Sequence, residues 1–173
     1  MKQKQKVDFI YSLVLILVGV VLMVLPLIKV PSIKVVLIGV MISYIISNIV
    51  RFILTRKSKD YDSIFTILSS IVIIILTIIL DMSKPLYLAL TILAWVVLLS
   101  LIKLKKSDYY DDNKDKMWKL RILILILFIL TGFLTSINLY YEQEVQILII
   151  GYFFLINGML EITDPVVKYL IKK

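Results

Sequence analysis

Residues 71–79 read Ile71-Val72-Ile73-Ile74-Ile75-Leu76-Thr77-Ile78-Ile79, with Thr77 as the sole polar side chain. A helix of a soluble bundle needs a polar stripe for its solvent face, and this segment offers none over more than two turns. It is built for hydrocarbon. Working outward, five more stretches share this character, so that apolar segments run roughly over 9–28, 33–53, 63–80, 85–102, 118–137 and 146–162. About 20 residues at ~1.5 Å rise match a hydrocarbon core about 30 Å thick. The 173-residue chain is 61% apolar and 18% charged, well outside the soluble range. The fold class expected is all-α, a polytopic membrane protein of six transmembrane helices forming one transmembrane domain over 1–173.

The gaps between the apolar stretches set an orientation. The N-terminus, the second gap, the fourth gap and the C-terminus hold three, four, seven and three basic residues, seventeen of the twenty. Lys29, Lys34 and Lys84 alone belong to the other side. Short loops follow the Lys/Arg bias closely, so both termini are expected in the cytoplasm, at the cell (plasma or inner) membrane. The formal charge of +8 also lies wholly on that side, where it faces the anionic headgroups of the bilayer. A nucleic-acid partner is not expected.

The chain contains no cysteine and no histidine. Disulfides, thiolate chemistry, imidazole relays and metal sites built on those residues are excluded, and no cofactor or metal is expected. Lys2, Lys4 and Lys6 before an apolar run suggest a signal peptide, but the run is about span length and lacks a small-residue cleavage site. It reads as a retained first span.

Short turns near 29–32, 81–84 and 138–145 alternate with longer charged connections, which divides the chain into three helical hairpins, about 9–53, 63–106 and 118–163. Pro26 precedes Gly39, Asp81 precedes Ala94, and Asn138 precedes Gly151 at one common spacing. Gly19 and Gly132 fall shortly before the first and last of these. Small residues let helix backbones approach where lipid gives no hydrophobic drive. The pattern predicts parallel repeats. Tyr61, Tyr109, Tyr110, Tyr140, Tyr141 and Tyr169 lie near the span ends and are expected as interfacial anchors. The connection from Lys103 to Arg121, with Asp108, Asp111, Asp112 and Asp115 at its centre, reads as a solvated linker without the glycine turn of a calcium loop.

Chemistry is sparse. Ionisable groups inside spans usually mark transport or catalysis, and the middle of every span is uncharged. Arg51 and Glu161 lie at the inner boundary, where they either snorkel to headgroups or pair, with each other among the options. The deeper polar residues are Ser43, Ser47, Asn48, Thr66, Ser69, Ser70, Thr131 and Asn157. Ser43 with Ser47, and Thr66 with Ser70, share a helix face. They are candidates for interhelical hydrogen bonds or for lining a polar pathway, the first role leading. No nucleophile with a base and no phosphate-cradling glycine loop is legible, so an enzyme is not expected.

The run from Gly19 to Pro26, followed by Val35 to Phe52 with Gly39, Ser47 and Arg51, resembles the repeat of the HdeD-like family of short-repeat membrane proteins. The third hairpin, with Gly132, Gly151, Asn157, Gly158 and Glu161, is similar in outline, whereas the second keeps only Ala94. The resemblance implies an integral membrane protein of paired repeats with a link to envelope or acid stress. The function expected is that of a non-enzymatic membrane protein that packs or binds a partner, either a homo-oligomer or another membrane protein. The alternative is a small-solute, ion or lipid transporter or permeability factor.

Overall fold

A computed structural model describes residues 3–28, 31–55, 61–112 and 117–171. Lys29 and Asp115 fall outside the described residues. Among the described residues six helices form: α1 (Gln3–Ile28), α2 (Ile33–Thr55), α3 (Asp62–Ile79), α4 (Pro85–Asp112), α5 (Trp118–Ile137) and α6 (Gln143–Ile171). All six are long and apolar enough to cross a membrane. Ile- and Val-rich segments are poor helix formers in water, but in lipid the helix satisfies every backbone group internally. Pro85 opens α4, where its missing N–H is no loss.

Several boundaries differ from the sequence reading, and α1 begins at Gln3, ahead of the expected start near residue 9. Helix α4 continues to Asp112, so much of the stretch expected as a linker is helical. Helix α6 continues past Pro165 to Ile171.

The helices pack as a closed ring in chain order, α6 returning to α1. The most extensive contacts are α1 with α6, α2 with α3 and α4 with α5, so packing between consecutive hairpins exceeds packing within them. Glycine explains two of these. A Cβ on Gly19 would lie 2.5 Å from the Leu155 backbone nitrogen, and one on Gly158 would lie 2.7 Å from the Ile16 nitrogen. With Gly19 against Gly151, α1 and α6 run antiparallel and their backbones nearly touch. Gly132 likewise seats Val96 of α4. Gly39 is different: nothing stands within 4 Å of its Cβ position, and it faces outward.

Buried positions recur at one register in the even helices. Leu37, Ile92 and Ile150 are buried at corresponding steps, as are Val40, Trp95 and Phe153, then Met41, Val96 and Phe154, and then Tyr44, Leu99 and Asn157. The odd helices follow with the same offsets: Tyr11, Thr66 and Ile124, then Leu15, Ser70 and Phe128, then Leu22, Thr77 and Thr135. This register pairs exposed Gly39 with exposed Tyr152, one residue away from the Gly39–Gly151 match that glycine spacing alone suggests.

An aromatic layer closes the centre. Trp95 stacks on Phe154 at 5.1 Å and meets Tyr44 and Phe153 edge-on at 5.4 and 5.6 Å. Phe128 joins through Phe153 at 5.7 Å. Around this core an outward belt that includes Leu17, Val35, Ile53 and Ile79 is exposed, the surface that a membrane helix presents to lipid.

Candidate functional site

The antiparallel order brings the start of α1, the end of α2, the inner part of α4, the start of α5 and the end of α6 to one end of the bundle, called here the terminal end. Among the described residues, ion pairs centred on Arg51, Lys103 and Arg121 form there. Arg51 Nη2 lies 2.8 Å from Asp8 Oδ1, and Arg51 Nε donates to the same oxygen at 3.0 Å. The guanidinium also sits 4.9 Å from the centre of the Tyr11 ring. Arg121 holds Asp164 through Nε and Nη2 at 3.0–3.2 Å, and Lys168 approaches the same carboxylate at 3.7 Å. Lys103 Nζ donates to Glu161 and lies over the Phe128 ring. These groups are largely withdrawn from solvent, with Arg51 and Arg121 side chains only 8% and 6% exposed. Charges so placed must be paired, because an isolated one would shed its charge or leave the interior.

A pocket of about 50 Å³ opens between Lys103, Ser107, Arg121, Glu161 and Asp164. One turn deeper the polarity becomes neutral. Asn48 Nδ2 donates to the Tyr11 hydroxyl at 3.1 Å and to the Tyr44 carbonyl at 2.8 Å. Asn157 of α6 lies beside the Tyr44 hydroxyl without reaching hydrogen-bond geometry. Asn48 Oδ1, both amide atoms of Asn157 and Trp95 Nε1 are buried and make no hydrogen bond.

Of the residues singled out in the sequence, Asn48 and Asn157 come together around Tyr44. The hydroxyls do not join them. Ser43 and Ser47 donate to Gly39 O and Ser43 O on their own helix, on an outward face. Thr66, Ser69 and Ser70 are buried and bond the carbonyls of Asp62, Phe65 and Thr66. Thr131 bonds Leu127 O and borders an apolar cleft on the opposite side of the aromatic layer. The carbonyl one turn back is always within reach of a Ser or Thr hydroxyl, so each can satisfy itself in lipid without a neighbour. Asn48 makes the interhelical bond instead, because its amide carries more donors and acceptors than one carbonyl can serve.

The Arg51–Glu161 pairing that the sequence allowed as one option does not form: Arg51 takes Asp8 and Glu161 takes Lys103. Nor does Arg51 snorkel outward, since burial against Tyr11 holds it in the bundle. Asp8, Lys103, Arg121, Tyr11 and Tyr44 were invisible as site residues to a reading that counted loop charges. A usable signal existed: Asp8–Arg51 and Arg121–Asp164 are both 43 residues apart, with the signs exchanged. Among the described residues, no group of three or more acidic side chains gathers to suit a metal ion. No protein-family model, curated protein or solved structure matches the chain.

Proposed function

We propose that the chain is a non-enzymatic integral protein of the cell membrane, built from three parallel hairpin repeats with both termini in the cytoplasm. It acts as a sealed bundle whose charged terminal end meets anionic headgroups or a protein partner, either a second copy or another membrane protein. The observation that carries this reading is the aromatic layer of Tyr44, Trp95, Phe153 and Phe154, which fills the centre while the ionisable groups beneath it are paired. The common burial register and the equal 43-residue spacing of two ion pairs support the repeats. Kinship with the HdeD-like family, and with it a role in envelope stress, belongs to the same proposal.

A second reading, a small-solute, ion or lipid transporter, draws on the pocket beside Lys103 and Glu161 and on the unbonded amide of Asn157. The orientation is tested by thiol labelling, which a cysteine-free chain makes clean. A cysteine replacing Lys6 or Lys119 is expected to react only after the membrane is permeabilised. One replacing Tyr140 or Glu142 is expected to react in intact cells. The reverse pattern would overturn the orientation.

A further inference from the structure

The polarity of the bundle changes in steps along its axis. Tyr44 and Asn157 share one level with Leu99, and Asn48, Lys103 and Glu161 follow one turn nearer the terminal end. Lys103 and Glu161 satisfy each other. The two asparagines do not complete their bonding: Asn48 is 0% exposed and Asn157 1%, yet one acceptor on Asn48 and a donor and an acceptor on Asn157 stay unbonded. Buried amides are almost always bonded, and where no protein group serves them an ordered guest does so. Here the neighbouring hydroxyls of Tyr11 and Tyr44 leave those amide atoms unserved.

The chemistry of the guest follows from the free atoms. They include acceptors and a donor, and they carry no net charge. A cation would meet the charges of Arg51 and Lys103 one turn away, whose carboxylate partners Asp8 and Glu161 are already engaged. An anion would meet the amide oxygens of Asn48 and Asn157 unfavourably. A neutral molecule that both donates and accepts hydrogen bonds fits. Its route is set by α6: Leu160 and Glu161 stand one turn from Asn157 and line the pocket that opens at the terminal end. That pocket, about 50 Å³, admits a few water-sized molecules and nothing much larger.

We propose that Tyr44, Asn48 and Asn157 form a binding site for a neutral hydrogen-bonding guest of water's size, filled from the terminal end past Lys103 and Glu161 and stopped by Trp95, Phe153 and Phe154. The bundle is then hydrated over half its depth and dry over the other half. This holds for either orientation in the membrane and for a bundle that transports or does not.

The test uses the full chain in liposomes and hydrogen peroxide, a neutral oxidant little larger than water that a thiolate attacks to give a sulfenic acid and hydroxide, so that the rate reports a hydrated thiol. Asn157→Cys is expected to react about tenfold faster than the lipid-facing control Ile46→Cys or the buried control Leu22→Cys beyond the aromatic layer. A rate equal to those controls would overturn the site. Because a cysteine here alters the packing, the unaltered chain supplies a second measurement. Under X-ray-generated hydroxyl radicals, buried Tyr44 beside the guest is expected to oxidise more than Tyr152, a tyrosine of the same chemistry on the outward, lipid-facing surface. Equal or lower oxidation of Tyr44 would overturn the proposal as well.

Discussion

Arg51 and Asp8 tie the end of α2 to the start of α1 at 2.8 Å, and Arg121 and Asp164 tie α5 to α6 at 3.0 Å, each pair 43 residues apart in sequence and the signs exchanged. Attraction depends on the product of the two charges, so either order closes a hairpin equally well. What both hairpins retain is the place of the pair, at the terminal end and behind a partly buried arginine.

Removing one partner from such a pair takes a counter-charge away from a buried group. Arg51→Leu or Asp8→Leu is expected to lower stability by about 3 kcal/mol. The exchanged double variant Asp8→Arg/Arg51→Asp is expected to recover most of that loss, since the third hairpin already uses this order. Thermal unfolding in detergent measures both.

Backbone contact between α1 and α6 makes Gly19 intolerant of even one carbon. Gly19→Ala is expected to destabilise by about 1–3 kcal/mol through forced separation of the helices. Gly39→Ala meets open space and is expected to be neutral or to stabilise by up to about 1 kcal/mol, as a helical alanine should. Comparing the two melting temperatures separates a packing glycine from a lipid-facing one.

Self-bonded hydroxyls differ in what surrounds them. Ser43→Leu with Ser47→Leu enlarges an outward face and is expected to change stability by less than about 0.5 kcal/mol. Ser70 is fully buried, and Ser70→Leu overfills its site at a cost of about 1–3 kcal/mol. Unfolding curves for the two variants give the contrast.

Trp95 is the centre of the aromatic layer, touching Tyr44, Phe153 and Phe154. Trp95→Ala is expected to cost about 3–5 kcal/mol and, in the protein that still folds, to let protons or water cross where the native chain does not. Fluorescence-detected pH equilibration of loaded liposomes reads the leak.

The spans were legible because hydrocarbon thickness imposes length and composition on each helix independently of its neighbours. Expected limits at 33–53 and 118–137 meet helices ending at Thr55 and Ile137 for that reason. Pairing was not legible, because it depends on which face of each helix turns inward. Gly39 and Gly151 look alike in the sequence, yet one faces lipid and the other faces Gly19. Likewise Lys103 and Arg121 count as loop charges for topology, and only the assembled ring turns them toward Glu161 and Asp164. Asn48 and Asn157 stood in the sequence among eight polar candidates, with the paired hydroxyls ahead of them, and nothing local showed that Tyr11 and Tyr44 would flank them.

Proton and small-solute flux across liposomes holding the purified protein tests the sealed bundle most directly. Rates for the native chain are expected to match empty liposomes over a broad solute panel and pH range, with a rise only when Trp95 is removed. Flux above empty liposomes in the native chain, abolished by Asn157→Leu in a protein that remains folded, would contradict a sealed bundle and make transport the leading function.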